Sequence, residues 1–171
     1  METIAVYWEP RIRTYGFNLL EGLTLYRFDL PAGTPSGQWQ WLQTAQSVFR
    51  LVWAQRDSEM GLELCLVSEK MSCHQGPSVL EIPQSRWDSC ERVPVDLVYF
   101  QGPHFGDRYG IMDFTFNALP PDMPLLGMVC ATATIYLVFP EGKGRPASDK
   151  LRQAFEIPMM GGNRTSNGGT T

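Results

Sequence analysis

The sequence is poor in the groups that run chemistry. Among its 171 residues there are only two histidines, His74 and His104. A nucleophile needs an activating base and an orienting group. Cys73 and His74 are chain neighbours, which on a strand would point to opposite faces. G-x-S-x-G, P-loop, dinucleotide-binding and H-E-x-x-H patterns are all missing, which speaks against the hydrolase, nucleotide and metalloprotease classes they mark. The four cysteines, Cys65, Cys73, Cys90 and Cys130, form no C-x-x-C pair. Their spacing with His74 matches no zinc pattern, so neither metal nor cofactor is expected. Basic residues are not in excess: 14 Lys and Arg against 18 Asp and Glu give a net charge of −4. That balance argues against nucleic acid or an anionic membrane as partner. No apolar run approaches the ~20 residues of a membrane span. The opening residues 1–8 lack a basic region ahead of a long apolar one, so they read as a strand and not a signal peptide. A cytoplasmic location with reduced thiols is the expectation.

What is present is material for a core. Hydrophobic residues make up 43% of the chain and aromatics 12%, enough to bury a sizeable interior. Two halves are expected, 1–70 and 95–157, joined by a Pro- and Gly-bearing linker over 71–94. A Gly-, Thr- and Asn-bearing tail, 158–171, carries too little apolar surface to repay its ordering.

In the first half, strands are expected over 3–8, 23–30, 48–55 and 61–68, with a short helix over 37–46 after the Pro31-to-Pro35 break. Leu62, Leu64 and Leu66 alternating with Glu63, Cys65 and Val67 is the clearest period-two pattern. In the second half, 95–101 is a nearly all-apolar strand, followed by a Gly-rich loop over 102–110. A helix over 111–119 sets Ile111, Phe114, Ala118 and Leu119 on one face and ends at Pro120-Pro121. Strands over 125–131 and 133–140 and a helix over 146–155 complete the order β-α-β-β-α, the ferredoxin-like motif short of its last strand. The first half offers at least β-α-β-β, so the chain reads as an α+β protein built from one small unit twice.

Residues of the second half also resemble a known family. The run from Phe105 through Gly106, Asp107, Arg108, Tyr109 and Gly110 to Ile111 resembles the first strand–helix loop of ACT domains, with Tyr109 where proline is usual. The run 124–128 resembles that family's second strand, 130–138 its hairpin, and Ala147, Leu151 and Phe155 its second helix. The tandem regulatory pair of aspartate kinases is the relative most similar in character. The resemblance implies two tandem ferredoxin-like (βαββαβ) units, with antiparallel sheets and helices packed on one face. It also implies an amino-acid ligand at the loop and a homo-oligomer of paired sheets.

Chemistry supports such a ligand at that loop. Gly106 and Gly110 would allow close backbone approach, Asp107 an ammonium contact, and Arg108 a bidentate carboxylate contact. Cys130, Ala131 and Thr132 would line a side-chain pocket. Two other readings stay open. In one, the loop is a plain tight turn with Asp107 capping the helix, and the chain is a protein-interaction module without a small ligand. An enzyme using His104 and Asp107 would need a third polar group within hydrogen-bond reach.

Overall fold

The structure, a computed structural model, describes residues 11–30, 49–56, 62–69 and 84–157. The elements are β1 (Gly16–Leu30), β2 (Leu51–Arg56), β3 (Leu62–Glu69), α1 (Gln84–Ser89), β4 (Glu91–Gln101), α2 (Ile111–Asn117), β5 (Gly127–Ala131), β6 (Thr134–Pro140) and α3 (Gly144–Ala154). The six strands of the described residues form one sheet in the order β2-β3-β1-β4-β6-β5, with every neighbouring pair antiparallel. Each half contributes its strands in the spatial order first-third-second. The two first strands, β1 and β4, pair at the centre.

The strands expected over 48–55, 61–68, 125–131 and 133–140 and the helices over 111–119 and 146–155 are present within a few residues. Two boundaries differ. β1 begins at Gly16, seven residues ahead of the strand expected over 23–30, so residues 16–22 are part of the central strand. The expected 71–94 linker ends early, because Gln84–Ser89 is helical and β4 starts at Glu91. Pro94 sits inside β4 without disrupting it. Its carbonyl accepts from Glu141 N–H on the β6 side, just beyond the last β4–β6 pair, Val95 with Pro140. The missing proline N–H therefore falls where that ladder has already ended. The expected elements at 3–8 and 37–46, the turn at 57–60 and the tail at 158–171 lie outside the described residues.

Alternation sorts the side chains onto two faces. One face carries the helices. Phe17, Val98, Phe100, Ile135, Leu137 and Phe139 pack there against Ala147, Leu151 and Phe155 of the α3 segment and Ile111 of α2. In the first half, Tyr26 stacks on Trp87 of α1 at 4.9 Å between ring centroids. The other face, without a described helix, is equally apolar: Leu23, Leu25, Leu51, Cys65, Val67, Val95, Leu97 and Val138 are all buried. The sheet shields this face by coiling until its two outer strands meet. A Cβ placed on Gly127 of β5 would lie 2.6 Å from the Trp53 ring of β2.

A bulge in the centre sets one further feature. Glu21 and Gly22 (φ +72°) of β1 lie opposite the single residue Asp96 of β4. Asp96 is buried on the helix face, and one of its oxygens accepts from Gly142 N–H at 2.8 Å and Gly144 N–H at 3.0 Å. Thus a strand residue caps the start of α3, whose own N-cap, Lys143, makes no side-chain cap.

Candidate functional site

The chain leaves β4 at Gln101 and turns through Gly102. A Cβ there would collide with the Phe105 ring and the Arg13 carbonyl, so the turn closes onto Phe105 only because residue 102 is glycine. Phe105 is 1% exposed and sits among Phe100 and Phe155 at 5.7 and 6.2 Å. It anchors the loop in the core. Next to it, a Cβ on Gly106 would collide with the Thr132 carbonyl at the tip of the β5–β6 turn. Gly106 therefore serves contact with the hairpin. Thr132 holds φ +54° there, an uncommon conformation for a β-branched residue. Gly110, at φ +78°, is the N-cap of α2 and provides no side-chain cap. Asp107 does not cap the helix either: it is an exposed residue whose N–H closes a turn onto the His104 carbonyl at 3.1 Å.

Between the loop, the first turn of α2 and the outer strand β5 lies a cleft of 510 Å³. Phe105, Gly106, Arg108, Tyr109, Gly110, Ile111, Met112, Asp113 and Cys130 line it. Asp107, Ala131 and Thr132 do not line it. Phe105 and Ile111 form an apolar floor, each buried in the helix-face core. Arg108 is half-buried, while Asp113 is exposed in the first turn of α2. The cleft thus presents one cation and one anion over an apolar base. Neither aromatic of the loop fills it: Phe105 points into the core, and Tyr109 is 98% exposed.

Met112 and Asp113 were not singled out from sequence. The available signal was position: residues opening a helix lie beside the loop that precedes it. Cys130, expected inside an apolar strand, is exposed on outer strand β5, with Sγ 4.0 Å from the Phe105 carbonyl. Partial burial still pushes its thiol above the usual range. Cys65 on the coiled face is pushed up to about 12, first by burial and then by neighbouring Glu63, which keeps it an unreactive thiol at neutral pH.

His104 and Asp107 approach each other at 4.0 Å, both more than half exposed, and neither lines the cleft. That distance is beyond hydrogen-bond reach. Among the described residues, no group of three or more His, Cys, Asp or Glu could hold a metal ion. No helix among them is long and apolar enough to cross a membrane.

Because Gly106 faces Thr132, one substitution tests how the loop is seated. Gly106→Ala should force loop and hairpin apart and cost about 1–3 kcal/mol, as overpacking does. Gly110→Ala, which meets open space and suffers only its backbone angle, should cost about 1 kcal/mol. Urea unfolding of both variants checks the order, and equal losses would show that the hairpin contact is soft.

No family model matches the chain, and no curated protein matches it in sequence. Solved structures do match in shape. The regulatory subunit of aspartate kinase from Thermus thermophilus, in its ligand-free form, superposes with a TM-score of 0.64 at 12% identity, over 85% of this chain and 99% of that one. The corresponding subunit from Thermus flavus gives 0.66 at 12% identity, over 84% and 99%. Aspartate kinase from Clostridium acetobutylicum gives 0.64 at 15% identity, over 84% of this chain but 35% of the kinase. These regulatory regions are ACT-domain regions, and this chain has their α+β fold. The resemblance read from the 105–111 loop, the hairpin and the last helix holds at the level of fold.

Proposed function

We propose that the chain is a non-catalytic regulatory protein that binds an amino acid or similar small metabolite in the cleft beside α2. The observation that carries this reading is the pairing of Arg108 and Asp113 on one cleft with an apolar floor. An α-amino acid presents one carboxylate and one ammonium on adjacent atoms. Arg108 suits the carboxylate through its planar fork of donors, and Asp113 suits the ammonium. Asp113 thus takes the part that the loop sequence suggested for Asp107. We read residues 1–70 and 95–157 as two ferredoxin-like units, each completed at its open side by the other's first strand. In a reducing cytoplasm, such a protein would act by population shift: ligand would favour one state of a homo-oligomer or of a partner complex by its differential affinity alone.

Binding to the native state raises the melting temperature by mass action. In a screen of the twenty amino acids, the right ligand at 100-fold over its Kd should add about 2.7 kcal/mol. For a chain of this size that is about 5–10 °C. Arg108→Ala and Asp113→Ala should each abolish the rise, while Asp107→Ala should keep it. A flat response to all twenty would leave the cleft without its proposed ligand.

A second reading, an interaction module without a small ligand, draws on one observation. Tyr109, which lines the cleft, is 98% exposed, and Phe116 of α2 is 55% exposed; aromatics are enriched at protein interfaces.

A further inference from the structure

Resting on the reading that the cleft holds a zwitterion, we infer that its ligand is an α-amino acid with a neutral, apolar side chain, and that acidic and basic amino acids are rejected. Among the described residues, the lining carries two charged side chains, Arg108 and Asp113. A zwitterionic head group uses both. The other described residues that line the cleft are apolar or uncharged: the floor of Phe105 and Ile111, the glycine backbone, and Met112, Tyr109 and Cys130. Cys130 adds no charge, because its thiol is held protonated. A third charge on the ligand would lose water against this lining and meet no further counter-ion among the described lining residues. A methylene laid on the same surface gains by leaving water. Met112 and Cys130 supply sulfur, which is polarisable and adapts to chain length better than a β-branched wall would.

Calorimetric titration of the full chain tests this with glycine, alanine, 2-aminobutyrate, norvaline, glutamate and lysine. Affinity should rise about two- to fourfold per added methylene from glycine to norvaline. Glutamate and lysine should bind at least about tenfold more weakly than norvaline. Cys130→Lys, at an exposed position of an outer strand, should reverse the order and place glutamate ahead of norvaline. Glutamate or lysine binding the native chain as tightly as norvaline would overturn the inference while leaving the zwitterion site in place. So would the absence of any methylene trend. If none of the six compounds binds at millimolar concentration, the zwitterion reading falls, and this inference with it.

Discussion

Phe155→Ala will lower the stability of the folded chain by about 3–5 kcal/mol, the range for removing a buried aromatic. That corresponds to a fall in melting temperature of about 6–20 °C for a chain of this length. The residue is 3% exposed at the end of α3. Its ring meets Phe100 of β4 at 4.9 Å, Phe114 of α2 at 5.1 Å, Phe17 of β1 at 5.8 Å and the loop anchor Phe105 at 6.2 Å. Truncation removes contacts to four elements at once and leaves a void that none of them can fill without dragging its own backbone. The loss should therefore include the cleft, since Phe105 is part of its floor and Phe114 directly follows its lining residue Asp113. Phe116→Ala is the control. Its side chain is 55% exposed, and such surface changes usually stay within about 0.5 kcal/mol. Differential scanning calorimetry on the pair decides the matter, and similar melting points would mean that Phe155 is not the joint its contacts indicate.

Asp96→Ala is expected to cost about 2–4 kcal/mol. Two backbone N–H groups, of Gly142 and Gly144, converge on one buried carboxylate oxygen. Removing it strands both donors at the start of a helix, each worth about 1–3 kcal/mol when left unmade. The helix dipole also loses a favourable anion. Asp96→Asn separates the two effects. Because a single oxygen accepts both bonds, an amide oxygen can stand in its place, and only the charge is lost. Denaturant midpoints should therefore fall in the order wild type, Asn, Ala. An alanine variant no worse than asparagine would show that water reaches the Gly142–Gly144 turn and satisfies it. Space is tight on the partner side as well: a Cβ on Gly144 would lie 2.5 Å from the Asp96 Cβ.

Both predictions concern partners far apart in sequence, which is where reading the sequence alone falls short. Alternation in β3 was legible because Leu64 and Leu66 go to one face and Cys65 and Val67 to the other, a purely local rule. The face of α3 was legible for the same reason: Ala147 and Leu151 are fully buried. In α2 the expected face holds at Ile111 and Leu119 and shifts by one position between them. Thr115 is buried where an apolar residue would be assumed, because its hydroxyl donates to the Ile111 carbonyl at 2.7 Å. Phe114 remains 37% exposed beside it.

Asp96 offered no such clue. A lone acid in an apolar strand looks like an outward-facing residue, and its partners lie past a whole α-β-β unit. The cleft was half legible. Gly106 and Gly110 marked the loop, but a loop has no period to say which side chains turn inward. Asp107 and Asp113 are the same residue type six positions apart, and only tertiary placement puts Asp113 in the cleft.

The central position of β1 bears on how this protein comes into being. Its partners are β3 and, across the middle of the sheet, β4, with Gly16 opposite Gln101 and Arg27 opposite Glu91. A chain made from its amino end completes the first three strands before β4 exists. At roughly 5–20 residues per second, the interval between finishing β1 and finishing β4 is on the order of several seconds. Throughout it, one side of the longest strand offers unpaired N–H and C=O groups flanked by Leu23 and Leu25. The nascent chain is thus most exposed to wrong pairing, with itself or with a neighbouring polysome product, before β4 emerges, and a holding chaperone would matter most in that window.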